Sequence, residues 1–338
     1  MKQNIDWRNL GFSYLPTNCH VRYVWRDGQW DQGELVEEPY LRVHIAATAL
    51  HYGQAAFEAL KAFRCRDGKV RLFRPHENAR RLANTAERIC MAQVPEGMFL
   101  DAVQRVVDAN RDYVPPYGTG GSLYVRPLLF GSGPQIGVNP AEEYVFLVLV
   151  LPVGPYYKGG LQPVRAVILD EYDRAAPRGV GNVKVAGNYA ASLEPHQKAA
   201  AMGFPVELYL DSRERKYVDE FGTSNFIAVT RDGTYVTPES PSVLPSITNM
   251  SLQQIARDMD MKVEKRPVEL AEVASFAEVG ACGTAVVVTP VYEIVHDGEI
   301  IRISEPDRCG PTLQAFYDRM TAIQYGEVDD KHGWTLPV

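Results

Sequence analysis

One lysine lies in a segment of small, uncharged residues near the middle of the chain. The segment from Gly179 to Tyr189 surrounds Lys184 with three glycines, two asparagines and a tyrosine, and no charged residue lies within five positions of it. A lysine amine buried among such neighbours loses its proton more easily and can attack a carbonyl carbon to form a Schiff base. We expect the glycines to let the backbone approach a bulky planar ligand. The same pattern is typical of a Gly-rich surface turn with a solvated lysine, so the segment alone leaves both interpretations open.

A Schiff-base lysine needs a carbonyl partner, and pyridoxal phosphate is the common cofactor of this kind. The pyridine nitrogen of that cofactor requires a carboxylate, which keeps the nitrogen protonated and makes the ring an electron sink. Asp219 and Glu220 stand just before a Gly-Thr-Ser-Asn turn and are the candidates for this role. A solvated strand end is the alternative interpretation of this acidic pair.

The phosphate of such a cofactor requires oriented backbone N–H groups and an arginine. Residues 245–249 lie just ahead of a predicted helix, whose free N–H groups and dipole bind anions, although an ordinary Ser/Thr helix cap gives the same pattern. Residues 281–285 are a second candidate anion-binding loop. Arg80 and Arg81 supply the cation from an earlier helix. Each signal is weak alone, but together they answer the requirements of one ligand.

The composition is that of an ordinary globular protein and excludes several other classes. The 338 residues are enough for two domains, and 35 basic against 42 acidic residues give a net charge of −7. This charge argues against a nucleic-acid or anionic-membrane partner. The five cysteines are scattered without a C-x-x-C pair, so we expect no disulfide framework and no metal. The N-terminus has no apolar signal-peptide core, and we expect a cytoplasmic protein.

Turn signals and hydrophobic periodicity predict a mixed α/β (α+β) fold, because hairpins and runs of strands occur with separate helices. Residues 152–160 contain two prolines and three glycines, which indicates a linker. We therefore predict a smaller N-terminal domain over 1–152, a linker over 153–161 and a larger cofactor-binding domain over 162–338. The strands are predicted over 21–25, 59–65, 69–73, 122–130, 143–151, 163–169, 207–210, 226–230, 235–237 and 291–295, and the stretch 279–288 ends near the last of them. The helices are predicted from residue 75, over 100–114, 189–202 and 309–325, and around 252–259.

The order and spacing of these motifs resemble those of the branched-chain amino acid aminotransferases, a pyridoxal-phosphate family. The resemblance runs from about residue 21 to residue 326. It implies the two-domain fold-type IV architecture of that family, with the active site at the domain interface. The resemblance rests on Gly-Asn-Tyr at 187–189, Phe-Gly-Thr-Ser-Asn at 221–225, Gly-Thr-Ala at 283–285, Leu-Tyr-Val-Arg-Pro at 123–127 and the segments 50–63 and 71–75.

The resemblance implies a role for each candidate residue. Lys184 would be the Schiff-base lysine and the proton carrier. The implied cofactor contacts are Tyr189 at the phenolic oxygen, Glu220 rather than Asp219 at the pyridine nitrogen, and Arg81, Ile247, Thr248 and Thr284 at the phosphate. The implied substrate contacts are Tyr52, Phe57, Tyr124 and Thr223 at the side chain, Ala285 at the carboxylate, and Arg126 at the second carboxylate of glutamate.

By this resemblance the protein exchanges amino groups between L-leucine, L-isoleucine or L-valine and 2-oxoglutarate. D-amino acid transaminases and aminodeoxychorismate lyases share the fold and are the nearest alternatives. A non-catalytic binding protein and a cofactor-free Schiff-base lyase are more remote. The resemblance also implies a homodimer in which residues 133–138 reach the neighbouring subunit. The C-x-x-C of redox-regulated relatives is missing after the Gly-Thr-Ala motif, so we expect no thiol switch and a small buried residue at Cys282.

Overall fold

The computed structural model describes residues 5–155 and 160–338, which form two compact units. The predicted boundaries assigned 162–338 to one domain, whereas the units group the residues around Lys184 and the C-terminal segment with the N-terminal part. A β-bridge between Ala56 and Val185 ties the lysine segment there. The first unit comprises Met1–Tyr156, Val183–Gly187 and Ala322–Val338, and the second comprises Tyr157–Asn182 and Asn188–Thr321.

The first unit is built on an antiparallel sheet. Its strands are β1 (His20–Arg26), β2 (Gln29–Trp30), β3 (Glu34–Val36), β4 (Ala55–Phe57), β5 (Leu60–Arg64), β6 (Val70–Phe73), β7 (Ser122–Gly131), β8 (Tyr144–Val153) and β18 (Thr335–Pro337). They pair in the order β18-β6-β5-β7-β8-β1-β2, with β3 on β1 and β4 on β7. The helices of this part of the chain are α1 (Thr48–Tyr52), α2 (Pro75–Arg88) and α3 (Glu96–Ala109), followed by a 3-10 turn over Arg111–Tyr113.

The two faces of this sheet carry different residues, because side chains alternate along a strand. Leu123 and Val125 of β7 belong to the main core, together with Leu82 of α2 and Phe99 of α3. Tyr124 therefore lies on the opposite face, where it joins a small separate cluster with Ala59, Leu151 and Val153. The second face is the one that matters for the site.

The second unit contains a ring of paired strands. Its strands are β9 (Val164–Ile168), β10 (Val206–Leu210), β11 (Val218–Phe221), β12 (Ser224–Val229), β13 (Tyr235–Pro238), β14 (Val263–Arg266), β15 (Glu278–Gly283), β16 (Val287–His296) and β17 (Glu299–Arg302). The order is β11-β10-β9-β16-β15-β12-β13-β14, and an additional β11–β12 pairing closes six strands on themselves. The remaining helices are α4 (Ala186–Ala191), α5 (Leu193–Ala201), α6 (Ile247–Asp258), α7 (Pro311–Gln324) and a 3-10 segment over Leu270–Ser275.

Three predicted elements differ from the observed ones. The predicted helix 189–202 is two helices, α4 and α5, which separate at Ser192 and leave Pro195 in the first turn of α5, where its missing N–H is tolerated. The predicted strand 291–295 is the second half of β16, which begins at Val287 and forms a hairpin with β15. The predicted helix 100–114 begins at Glu96 and ends at Ala109.

Within the described ranges, no helix combines the length and apolar character that crossing a membrane requires.

Candidate functional site

The backbone of Lys184 is held on both sides. Its N–H donates to Thr85 Oγ1 on α2 at 3.0 Å, and its carbonyl oxygen accepts from the Phe57 N–H at 3.2 Å. The side chain is only 8% exposed, and Nζ lies 4.6 Å from the centroid of the Phe57 ring. A solvated surface turn is therefore the wrong interpretation of this segment. The structure shows a lysine amine held at a defined place on an aromatic surface.

The glycines of this segment differ in what surrounds them. A Cβ at Gly181 would collide with the carbonyl oxygen of Ser242, so this position must be glycine for the protein's own backbone to pass. A Cβ at Gly187 would meet nothing within 4 Å among the described atoms. The expectation that glycines make room for a ligand is thus corrected at Gly181, because protein backbone occupies the space.

Arg81 on α2 forms a bidentate ion pair with a fully buried carboxylate. Its Nε and Nη2 donate to Glu58 Oε1 and Oε2, each at 2.7 Å. Asn78 Nδ2 donates to the same Oε2 at 2.7 Å, and the Ala59 N–H does so at 3.2 Å. Bidentate pairing fixes the plane of a guanidinium group as well as its position. Arg81, which the sequence predicts to bind the phosphate, is therefore rigidly oriented. Glu58 is its partner, and the sequence analysis did not assign Glu58 a role.

Three predicted substrate residues lie together on the second face of the first sheet. Arg126 Nη2 donates to the Tyr124 hydroxyl at 3.0 Å. The Arg126 guanidinium carbon lies 4.7 Å from the Phe57 ring centroid and 5.3 Å from that of Tyr124. Phe57 is thus the common neighbour of Lys184 and Arg126. The Arg126 guanidinium therefore lies against two aromatic rings, and the Lys184 amine contacts one of them.

Tyr52, the remaining substrate candidate of this unit, lies on helix α1 and not on the sheet. It ends the five-residue helix α1, is 45% exposed, and donates its hydroxyl to the carbonyl oxygen of Ile136. Its partner belongs to the loop 133–138, which the sequence singled out as a contact to a second subunit. The structure therefore connects Tyr52 with that loop.

In the second unit, Glu220 is buried on β11 and its carboxylate has three partners. Asn225 Nδ2 donates to Oε2 at 2.9 Å, the Leu244 N–H donates to Oε1 at 3.3 Å, and Arg174 Nε lies 3.4 Å from Oε1. Glu220 and Asn225 face each other across the β11–β12 hairpin. The neighbouring Asp219 is equally buried, but neither of its carboxylate oxygens has a hydrogen-bond partner in the described structure. Burial raises the pKa of the Asp219 carboxyl. The geometry thus favours Glu220 over Asp219 as the carboxylate positioned for a ligand.

Helix α6 begins close to this carboxylate. The Ser246 side chain caps it by accepting from the Asn249 N–H, while the first residues, Ile247 and Thr248, are buried. The first N–H groups of a helix have no intrahelical partner and attract anions. Leu244, whose N–H binds Glu220, lies two residues before the cap. The Glu220 carboxylate and the start of α6 are therefore connected through the short segment that contains Leu244.

Two turns of the second unit carry the remaining candidates, Thr223, Thr284 and Ala285. A Cβ at Gly222 would overlap the Glu207 carboxylate, so a larger residue in the β11–β12 turn would have to displace that side chain. After the β15–β16 turn, Val287 has a φ of 64°, and the Val288 N–H bonds the Val286 carbonyl oxygen at 2.9 Å. Such a conformation costs a β-branched residue about 1–3 kcal/mol and is often found at binding sites.

Tyr189 and Glu220 share a neighbour that the sequence did not indicate. The Arg174 guanidinium carbon lies 5.9 Å from the Tyr189 ring centroid, while its Nε approaches Glu220. Arg174 stands in the segment Asp173-Arg174-Ala175, which has no motif that could have revealed it. Glu58 did leave a signal, because it is a charged residue within the otherwise apolar segment 55–60.

Each unit by itself carries groups of the kinds that pyridoxal phosphate requires. Within the first unit these are a buried amine, Lys184, and a fixed arginine, Arg81. Within the second unit they are a buried carboxylate, Glu220, and the start of α6. Arg174 Nη1 and Asn225 Oδ1 are buried polar atoms without a hydrogen-bond partner among the described residues, a condition typical of sites that bind a ligand or ordered water.

Cysteine and metal chemistry lie outside this arrangement. Cys282 is fully buried, which confirms it as a small buried residue, and burial raises the pKa of its thiol. Asp170, His296 and Asp297 have potential ligand atoms within 4.8 Å of one another, but the Arg215 guanidinium already lies 3.7 Å from Asp170. The expectations of no metal and no thiol switch stay predictions.

Known proteins resemble this chain over nearly its whole length. A family model described as amino-transferase class IV matches residues 55–294. The branched-chain-amino-acid aminotransferase of Haemophilus influenzae is 46% identical over 342 residues, covering 99% of each chain. The solved Escherichia coli branched-chain amino acid aminotransferase is 27% identical with a TM-score of 0.78, covering 93% of this chain and 98% of that one. The T.th. branched-chain amino acid aminotransferase, solved with pyridoxamine 5'-phosphate, is 26% identical with a TM-score of 0.78 over 93% and 97%.

Proposed function

The chain belongs to the class IV aminotransferase family, and from that premise we propose that it moves the amino group between L-leucine, L-isoleucine or L-valine and 2-oxoglutarate. It is a pyridoxal-phosphate-dependent transaminase, as the sequence predicted. One observation carries the substrate proposal. The Arg126 guanidinium lies against the rings of Phe57 and Tyr124, so one surface offers apolar contact to a branched side chain and a cation to an acidic one.

Lys184 is proposed as the group that reacts and carries the proton. When bound, pyridoxal phosphate supplies an aldehyde carbon and an electron-withdrawing ring. Lys184 would hold the cofactor through that carbon, and once the substrate's amino group has displaced it, the free Lys184 amine would take up the Cα proton of the substrate and release it again. Backbone anchoring by Thr85 and Phe57 supports this role, because it keeps Nζ at one position for both proton transfers.

The other cofactor residues are proposed to hold and polarise the ring. Glu220 pairs with the pyridine nitrogen, and its three partners support a fixed carboxylate there. Tyr189 donates to the phenolic oxygen. The phosphate is bound by Arg81, by the N–H groups of Ile247 and Thr248, and by the Thr284 hydroxyl.

The substrate residues are proposed to divide between side chain and carboxylate. Tyr52, Phe57, Tyr124 and Thr223 contact the side chain, and the Ala285 N–H contacts the α-carboxylate. Arg126 binds the second carboxylate of glutamate or 2-oxoglutarate as a charge-assisted pair.

A substrate panel tests the reaction directly. With 2-oxoglutarate as acceptor, we expect glutamate to form from L-leucine, L-isoleucine and L-valine and not from D-leucine. Preferred turnover of D-leucine or D-alanine would instead identify a D-amino acid transaminase. Pyruvate release from aminodeoxychorismate would identify the lyase. Absence of the cofactor's visible absorption band from the purified protein would favour the non-catalytic alternative.

We also propose a homodimer in the cytoplasm. Two exposed segments support the dimer, because the Gln135 N–H bonds the Ala46 carbonyl oxygen at 2.9 Å, and the segments together expose large apolar side chains. These side chains are Ile45 at 84%, Leu50 at 65%, Ile136 at 64% and Val138 at 86% exposure. Light scattering on the purified protein should give twice the chain mass of 37.7 kDa. An Ile136→Asp, Val138→Asp variant should give the single mass.

A further inference from the structure

One face of helix α2 carries three polar side chains that hold residues of the candidate site. Asn78, Arg81 and Thr85 follow one another at spacings of three and four positions, so they lie on the same side of the helix. Asn78 and Arg81 donate to the buried Glu58 carboxylate. Thr85 is directed to the lysine segment, where its hydroxyl contacts the backbone of Lys184. The face thus serves both the arginine proposed to bind phosphate and the lysine proposed to react.

The Thr85 hydroxyl takes part in two hydrogen bonds at once. It donates to the carbonyl oxygen of Arg81, one helical turn earlier, at 2.9 Å, and it accepts from the Lys184 N–H at 3.0 Å. A hydroxyl group has one donor and two acceptor positions, so the two bonds do not compete. Thr85 is fully buried, which shields both bonds from bulk water. One oxygen atom therefore joins the backbone of the arginine to the backbone of the lysine.

Strand β4 holds the other end of the same lysine residue. The Lys184 carbonyl oxygen accepts from the Phe57 N–H at 3.2 Å, and the next residue, Val185, forms a β-bridge with Ala56. The carbonyl end is thus fixed by β4, and the N–H end is held by Thr85. If the hydroxyl is removed, the Lys184 N–H loses this buried acceptor, and the cost of the lost bond favours a turn of the segment about its β4 contacts. Such a turn displaces the Cα atom of Lys184 and its side chain with it.

We propose that Thr85 is a positioning residue for the reaction, whose hydroxyl sets the place of the Lys184 amine relative to Arg81. The inference rests on the proposed role of Lys184 and deepens it. The phosphate and the aldehyde of pyridoxal phosphate are substituents of one ring, so an arginine that holds the phosphate restricts where the amine must meet the aldehyde carbon. A displacement of about 1 Å between reacting groups slows a reaction by as much as roughly 10²-fold.

The test compares Thr85→Val, which keeps the shape and removes the hydroxyl, with Thr85→Ser, which keeps the hydroxyl. Thr321→Val is the matched control, because Thr321 Oγ1 makes the same kind of helix bond, to the Tyr317 carbonyl oxygen at 2.8 Å, on α7. Saturating pyridoxal phosphate is added to each apoprotein. The absorbance change then gives the rate constant for condensation of the aldehyde with the Lys184 amine, which releases water. We expect this rate constant to fall roughly 10²-fold in Thr85→Val and to stay within about threefold of the unmodified protein in the other two variants.

Turnover supplies a second readout, which separates position from stability. In Thr85→Val, kcat per bound cofactor should fall as well, while the KM for leucine changes less than about twofold, because the substrate surface is untouched. A purely structural role of Thr85 would lower Tm and the amount of bound cofactor. It would leave both rate constants, expressed per bound cofactor, at the values of the unmodified protein.

Each remaining outcome also decides the matter. An unchanged condensation rate in Thr85→Val overturns the inference, and so do equal losses in Thr85→Val and Thr85→Ser, which would assign the effect to packing of the methyl group. If Thr85→Val does not fold by circular dichroism, Thr85→Ala replaces it. Failure of both to fold, while Thr85→Ser folds, would make the hydroxyl a structural group and overturn the inference.

The condensation rate also separates this inference from the proposed function. If the unmodified protein condenses with pyridoxal phosphate but does not exchange leucine with 2-oxoglutarate, the proposed substrates are wrong, and the condensation rate still tests Thr85. If the unmodified protein does not condense with the cofactor at Lys184, the proposed role of that lysine fails and the inference about Thr85 fails with it.

Discussion

The buried ion pair around Arg81 in the first unit and the buried charges around Glu220 in the second unit are held differently. Glu58 accepts four hydrogen bonds, two of them from Arg81. In the second unit, Arg174 Nη1 and both carboxylate oxygens of Asp219 are buried without a hydrogen-bond partner among the described residues. An unsatisfied buried polar group costs about 1–3 kcal/mol, so it persists where function requires it. The comparison indicates that Arg81 is held in one orientation by its hydrogen bonds in the first unit. In the second unit, the unsatisfied buried atoms near Glu220 lower the stability of the folded state.

Removal of the lysine amine should have the largest effect. Lys184→Ala should reduce turnover by roughly 10⁴-fold or more, because the reacting nucleophile is lost. The variant should keep its fold and its Tm, because the hydrogen bonds that hold this segment come from the Lys184 backbone and not from its side chain. Turnover, Tm and the mass of the borohydride-trapped adduct measure these two effects separately. Lys198→Ala, on the exposed face of α5, should retain both adduct and turnover. A trapped adduct in Lys184→Ala would refute the assignment.

The buried ion pair between Glu58 and Arg81 can be removed by a substitution at Glu58. Glu58→Gln should lower the free energy of unfolding by about 3 kcal/mol, because it leaves a buried guanidinium without its carboxylate. Glu77→Gln is the matched control on α2, where Glu77 pairs with the largely exposed Arg80 at 2.6 Å and contributes at most about 1 kcal/mol. Urea unfolding of both variants measures the difference. Equal losses would show that the Glu58 pair is no more than a surface contact.

The second unit should respond more weakly to loss of its buried arginine. Arg174→Met leaves Glu220 with Asn225 and Leu244 as partners, so we expect roughly tenfold weaker binding of pyridoxal phosphate, the scale of one charge-assisted hydrogen bond. Absorbance titration of the apoprotein gives this Kd. Arg215→Met removes an arginine that pairs with the exposed Asp173 and should leave the Kd unchanged. An unchanged Kd in Arg174→Met would remove Arg174 from the site.

The smallest effect should be a stabilisation. Burial raises the pKa of the Asp219 carboxyl, so the folded state binds the proton more tightly than the unfolded one, and stability falls as pH rises through this range. Asp219→Asn removes the buried charge and should raise Tm at pH 7 by roughly 2–4 °C, and the gain should shrink as the pH falls through the raised pKa and be lost at the ordinary aspartate pKa of about 4.

Asp211 provides the contrast to Asp219. Burial acts to raise the pKa of its carboxyl, but hydrogen bonds from the backbone N–H groups of Tyr217, Glu214 and Lys216 lower it below the usual value. Asp211→Asn should therefore lower Tm at pH 7, the opposite of the effect expected for Asp219→Asn. A Tm decrease in both variants would contradict the proposal that the unsatisfied buried atoms near Glu220 lower the stability of the folded state.

Local pattern singled out the candidate residues of the site. The uncharged setting of Lys184, the acid before the β11–β12 turn and the Ser/Thr start of α6 are each contained in a few consecutive residues, and the structure has the corresponding elements. Local pattern failed where a turn interrupts a continuous periodicity. It joined α4 to α5 across Ser192, because small and apolar residues continue on both sides of the break.

The sequence by itself determined the family, the cofactor and the residue types that must react, since these depend on motifs of fixed local spacing. Only the tertiary structure decided the partners of those residues. Glu58 lies 23 positions from Arg81, Arg174 lies 46 from Glu220, and Thr85 lies 99 from Lys184. Strand register and helix packing bring these pairs together, and neither is encoded in any one segment. The candidate lysine, Lys184, was indicated by its own neighbours in the sequence, whereas the partners of the buried charges depend on the fold.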